Sequence, residues 1–164
     1  MLSVFALGVC LSLPTNATVV DPFRAPECSR CAGNRGIEYA VPSNSVVRSG
    51  LDGRVVFAGM VAGVQYVVVR ASANPLVRVT YGGIAEVAVA EGNEVVRGTA
   101  LGTMGSSISR DVSGAVKLHL GVRVGQDYVD PLAMARGGAV TPRFRVTLGR
   151  GPAHACGGSP TRFR

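Results

Sequence analysis

Short runs of β-branched residues, cut every few positions by Gly, Asn or Pro, constrain this chain more than any other feature. Val46 to Val47, Gly53 to Val61, Val64 to Arg70 and Leu76 to Tyr81 are such runs. Each has the length of a strand rather than of a helix. "VVFAGMVAGVQYVVVR" predicts a hairpin turning at Ala62-Gly63, and "ASANPLVRVTY" a second one turning near Asn74-Pro75. Leu118 to Val124 and Tyr128 to Val129 flank a polar turn at Gly125-Gln126-Asp127. "EGNEVVRGTALGTMG", residues 91–105, reverses direction twice, at Glu91-Gly92-Asn93 and at Arg97-Gly98. No stretch carries a helical period, although Pro131 to Ala135 has room for one turn. The expected class is therefore all-β, an antiparallel sheet, sandwich or barrel.

Composition decides what such a fold would meet. The chain has 164 residues, enough for one domain with a core. Hydrophobic residues make up 47% and charged residues 16%, which excludes a disordered chain. The net charge is +7 and comes almost entirely from Arg, with Lys117 the only lysine. Such a surface favours a polyanion: nucleic acid, an acidic membrane or an anionic cell wall. Nucleic acid is excluded as the expected partner. There is no helix-turn-helix or zinc-finger spacing, aromatics are 5%, and no Trp is present for base stacking. The bland alternative is a compositional excess of Arg on a solvated face.

Three segments are expected. Residues 1–20 read as a signal peptide or apolar leader, because Leu2 to Leu13 is apolar over the length of a signal-peptide core. Thr15-Asn16-Ala17 could serve as its cleavage site, but no basic residue precedes Arg24. A buried N-terminal strand is the alternative. Leu7-Gly8-Val9-Cys10 faintly resembles a lipoprotein box, with Val9 a poor residue before the cysteine. Residues 21–136 form the expected domain. Residues 137–164 read as a basic Gly/Pro/Arg-rich tail, in which only "RFRVTL" suggests an edge strand. Beyond Ala17 no segment is long and apolar enough to span a bilayer, so the mature chain is expected in the cell envelope or secreted.

Four phrases occur in a telling order: "NRGIEYA" (34–40), "VTYGGIAEV" (79–87), "EGNEVVRGTALGTMG" (91–105) and "KLHLGVRVGQDYVDPLAM" (117–134). Together they resemble the LytM or lysostaphin-like zinc endopeptidases that cut peptide cross-links in peptidoglycan, from about Asp21 to Ala135. The third phrase is also similar to one in biotinyl and lipoyl carrier domains. Those need a lysine at a hairpin tip, whereas Lys117 lies inside a strand pattern. The LytM resemblance implies an antiparallel β-sheet of the duplicated-hybrid-motif type, with a groove on one face. It also implies a zinc held by a His, by an Asp four residues later and by the second His of a His-x-His strand. The first His of that pair and a His in a Tyr-x-His-Leu phrase would act on water and on the tetrahedral intermediate.

Position by position, the pattern is degraded. The first ligand position is Asn34, a weak and uncharged donor, and the second is Glu38, one methylene longer than Asp. The His-x-His phrase reads Lys117-Leu118-His119, so an ammonium stands at the base position and His119 alone remains as a ligand. The Tyr-x-His-Leu phrase reads Tyr81-Gly82-Gly83-Ile84, and Gly83 has no side chain for the stabilising role. A positioned acid or base contributes about 10²–10⁴ in rate, so no competent catalytic set is expected. Glu38 reads either as a solvated strand residue paired with Arg35 or Lys117, or as the partner of Lys117 filling the emptied pocket with opposite charges. Zinc is expected only if Glu38 and His119 recruit an unusual third donor.

The cysteines leave alternatives open. Cys28 and Cys31 have a spacing that suits either a disulfide or zinc, and either one could pair with Cys156. A rebuilt metal site from Cys28 and Cys31 with His119, or with His154 and Cys156, is the less favoured option. The function expected from the resemblance is a degenerate, exported domain that binds peptidoglycan or regulates a cell-wall hydrolase. The alternatives are a divergent zinc endopeptidase and a structural envelope domain docking by its edge strands.

Overall fold

Alternation along the β-branched runs decides which side of each strand is buried. The computed structural model describes residues 9–28, 30–105 and 115–136. Eleven strands are formed there: β1 Thr18–Asp21, β2 Gly36–Val41, β3 Val46–Arg48, β4 Gly53–Val61, β5 Val64–Ala71, β6 Val77–Gly82, β7 Ile84–Val87, β8 Glu94–Val95, β9 Ala100–Met104, β10 Val116–Val124 and β11 Asp127–Val129. A single turn of helix, α1 Pro131–Ala135, follows, with the Asp130 side chain accepting from the Leu132 N–H as its N-cap. Alternate residues Val67, Val69 and Ala71 on β5, Val77, Val79 and Tyr81 on β6, and Leu118, Leu120 and Val122 on β10 are buried.

The strands make two antiparallel sheets. The larger runs β1-β2-β10-β6-β5-β4-β8, with β11 also paired to β10, and the smaller runs β3-β9-β7. Val47, Ile84, Leu101 and Met104 of the smaller sheet join the valines of the larger one in a common core. The class expected from the sequence, an antiparallel β fold of the lysostaphin-like type, is the one observed. The hairpin at Ala62-Gly63 is formed, with φ of 50° and 81° at those residues. Asn74 shapes the next turn by accepting the Leu76 N–H at its side chain and the Val77 N–H at its carbonyl. β10 pairs over Val116 to Gly121 with β2, and over Val122 to Val124 with β11, which hairpins back through Gly125.

Residues before Asp21 are part of this packing. The expected boundary after residue 20 falls inside β1, whose Thr18 and Val19 pair with Ala40 and Tyr39. Leu11 is 2% exposed and belongs to the core. The tail and its "RFRVTL" segment lie outside the described residues. Among the described residues, no helix is long and apolar enough to cross a membrane.

Tyr81 ties the large sheet to the loop after β3. Its ring is wholly buried, and its Oη accepts the Gly50 N–H at 2.8 Å. Burial pushes the Tyr81 hydroxyl up to about 12. Tyr81→Phe keeps the ring but orphans a buried amide, and should cost about 1–3 kcal/mol in a denaturant titration. A variant as stable as the parent would show that the bond contributes nothing.

Candidate functional site

The pairing of β2 with β10 sets Glu38 opposite His119 and Gly36 opposite Gly121. On the other side of β10, Gly82 of β6 lies opposite His119, and Tyr66 of β5 lies opposite Gly82. Directly opposed residues share a face, so Glu38, His119, Gly82 and Tyr66 form one row on the side away from the valine core. His119 Nδ1 is 2.6 Å from Glu38 Oε1, with the two side chains 24% and 22% exposed. The Tyr66 ring stands edge-on to the imidazole at 6.4 Å. Glycines make the room. A Cβ at Gly36 would sit 2.6 Å from His119 Cε1, and one at Gly82 would sit 2.4 Å from Tyr66 Cε1.

Asn34 is 8% exposed and engaged elsewhere. Its Nδ2 donates to the carbonyls of Asp21 (3.3 Å) and Pro22 (3.2 Å), and its Oδ1 accepts the Gly36 N–H at 3.2 Å. Its backbone exchanges two further bonds with Arg24. Asn34, at the expected first ligand position, therefore ties the end of β1 and the residues just after it to the start of β2. Beside it, the hydrogen-bonded Arg24 guanidinium holds the Asp21 carboxyl below its usual value, and the Lys117 charge adds to this.

One expectation is corrected here, and one open alternative is decided. Glu38 takes His119 as its partner, not Lys117 or Arg35, because strand register places it directly opposite the imidazole. Lys117 is exposed and sits opposite Ala40, while Arg35 lies over the Tyr128 ring at 5.7 Å. Cys28 and Cys31 are joined in a disulfide, so neither thiolate is free to bind zinc with His119. Cys10 is also disulfide-bonded. His154 and Cys156 lie outside the described residues. Gly83 adopts φ of +88°, and a Cβ there would lie 2.5 Å from the Lys117 carbonyl oxygen. The sequence reading did not identify Tyr66; period-2 alternation puts it on the outer face, but only register puts it beside His119.

The residues do not fit a catalytic zinc. That ion needs three donors and an open position. The amide of Asn34 is spent on backbone groups, and the carboxylate and imidazole are bonded to each other. Among the described residues, no three His, Cys, Asp or Glu side chains are grouped to share a metal ion. What remains is a Glu–His pair beside a tyrosine, able to exchange a proton or to present polar groups to a ligand.

The model of Peptidase family M23 matches residues 32–131. Among solved structures, Csd3 of Helicobacter pylori is similar with a TM-score of 0.64 and 28% identity over 79% of this chain. The chain spans about a third of that protein, 34% of its length. A zinc-containing peptidase of Vibrio cholerae is similar with a TM-score of 0.58 and 23% identity, covering 75% of this chain and 38% of that one. The catalytic domain of the antimicrobial peptidase lysostaphin from Staphylococcus simulans has a TM-score of 0.62 at 17% identity, covering 73% and 92%. The last two likenesses concern the fold. No curated protein matches the chain.

Proposed function

The chain belongs to peptidase family M23, and from that premise we propose that it is a non-hydrolytic member, one that binds peptidoglycan or regulates a cell-wall hydrolase through the face that carries His119. The 2.6 Å contact between Glu38 and His119 carries this reading. These are the two ligand positions that still hold metal-binding groups, and each occupies the other. Asn34 supports it by being tied to backbone groups at the first ligand position that the resemblance implies. Lys117 and Gly83 support it too, since neither supplies the base or the stabiliser that the resemblance calls for. A retained outer face with three glycines and a Glu–His pair suits recognition of a peptide or glycan. Export to the envelope is part of the same proposal.

The test is metal content and cleavage together. The purified chain, equilibrated with zinc and then dialysed, should keep well under one zinc per molecule. It should release no peptide from purified cross-linked wall, while sedimenting with that wall. About one tight zinc, lost in His119→Ala and accompanied by zinc-dependent cleavage, would replace this reading with a divergent endopeptidase. Failure to bind wall, with no zinc, would leave an envelope docking domain.

A further inference from the structure

Four arginines stand in one line across the large sheet. Arg54 of β4 is opposite Arg70 of β5, Arg70 is opposite Arg78 of β6, and Arg78 is opposite Arg123 of β10. Like charges directly opposed weaken a sheet, so folding does not account for the row. Arg54 is neutralised by Glu94. Among the described residues, Arg70, Arg78 and Arg123 have no carboxylate within ion-pair distance. Arg123 is oriented by its Nε donating to the Gly125 carbonyl at 2.9 Å, which leaves its two terminal nitrogens for a ligand. All three arginines line a groove of about 340 Å³, together with Thr80, Tyr128 and the apolar Phe57 and Val68. The cation of Arg35 lies over that Tyr128 ring.

We propose that this groove binds the phosphodiester groups of a linear polymer with an acyclic polyol backbone. Three guanidinium-bearing positions on adjacent strands span about 10 Å, which suits repeated charges along one chain better than a single small anion. The guanidinium fork matches phosphate oxygens, and a tetrahedral phosphodiester presents oxygens to two neighbouring forks at once. Phe57 and Val68 give the C–H faces of the backbone something to pack on. Arg123 is four residues along β10 from His119, about 13 Å away. The groove lies on the same outer face as the His119 row and adjoins it at Gly121, which lines the groove and where a Cβ would sit 3.1 Å from His119 Nε2. The inference rests on the arginines and not on zinc.

The experiment is calorimetric titration of the whole chain with a short synthetic glycerol-phosphate oligomer. Binding should weaken as salt is raised. Arg78→Gln should weaken it about tenfold, and the triple change R70Q/R78Q/R123Q about a hundredfold or more. Arg48→Gln, on the smaller sheet, should leave it unchanged. The triple variant should melt no lower than the parent, since repulsion has been removed. Should it fail to fold, Arg78→Lys replaces it: the charge stays, the fork goes, and affinity should fall several-fold. The proposal is overturned if the parent does not bind, if the arginine variants bind as well as the parent, or if polygalacturonate or single-stranded DNA binds as tightly. Wall stripped of phosphate polymer reports on the proposed wall binding independently.

Discussion

Gly83→His, which returns an imidazole to the stabiliser position, is expected to lower stability by about 2–5 kcal/mol and to yield no hydrolysis. Gly83 sits at φ of +88°, where a residue with a Cβ is strained. The new Cβ would also lie 2.5 Å from the Lys117 carbonyl oxygen, which belongs to a paired strand and cannot swing aside. The Gly83 N–H is held by the Gln65 carbonyl at 3.0 Å, so the loop is anchored in this geometry. The backbone is thus built around glycine at 83, and a side chain there is not accommodated without distortion. Equilibrium denaturation of the variant checks this, alongside a wall-cleavage assay with added zinc. A Gly83→His protein as stable as the parent would mean that the loop relaxes freely, and the argument from backbone geometry would fail.

Local chemistry made the fold legible. The turn at Ala62-Gly63, the Asn74 turn and the Pro131 helical turn each depend on residues within a few positions of one another. The order of four phrases pointed to 34, 38 and 119 as the expected ligand positions, and to 117 and 83 as the expected base and stabiliser positions. What those positions do depends on register, which no single phrase contains. Glu38 meets His119 because β2 pairs with β10 in one alignment, and a slip of one residue would send the two to opposite faces. The sequence singled out Asn34 as a position where a ligand would be expected, but its engagement with the Asp21 and Pro22 carbonyls needs β1 folded back on β2. The row of arginines is hidden for the same reason. Along the chain they are scattered, and three strand pairings align them.

Leu11→Ala is expected to destabilise the domain by about 2–5 kcal/mol, although the sequence around it reads equally well as a removable leader. An apolar run from Leu2 to Leu13 has the composition of a signal-peptide core and of a buried segment alike, so pattern alone does not choose. The packing favours the buried segment. Leu11 is 2% exposed within the common core, and Leu13, two residues on, is 36% exposed. The Ser12 N–H donates to the Gly50 carbonyl at 2.8 Å, and the Gly50 N–H donates in turn to Tyr81. A Cβ at Gly50 would lie 2.9 Å from Leu11 Cδ1, so the segment is seated closely on that loop. Arg97 holds the Cys10 carbonyl at 2.8 Å from the other side. Leu13→Ala should be nearly neutral and serves as the control. Thermal melts of both variants, with the N-terminus of each purified protein determined by mass, separate the two roles. A large loss confined to Leu11→Ala makes residues 9–20 a part of the domain. Equal stability of both variants, in a protein that begins near residue 18, would make them a leader, and the packing of Leu11 would not be a feature of the mature fold.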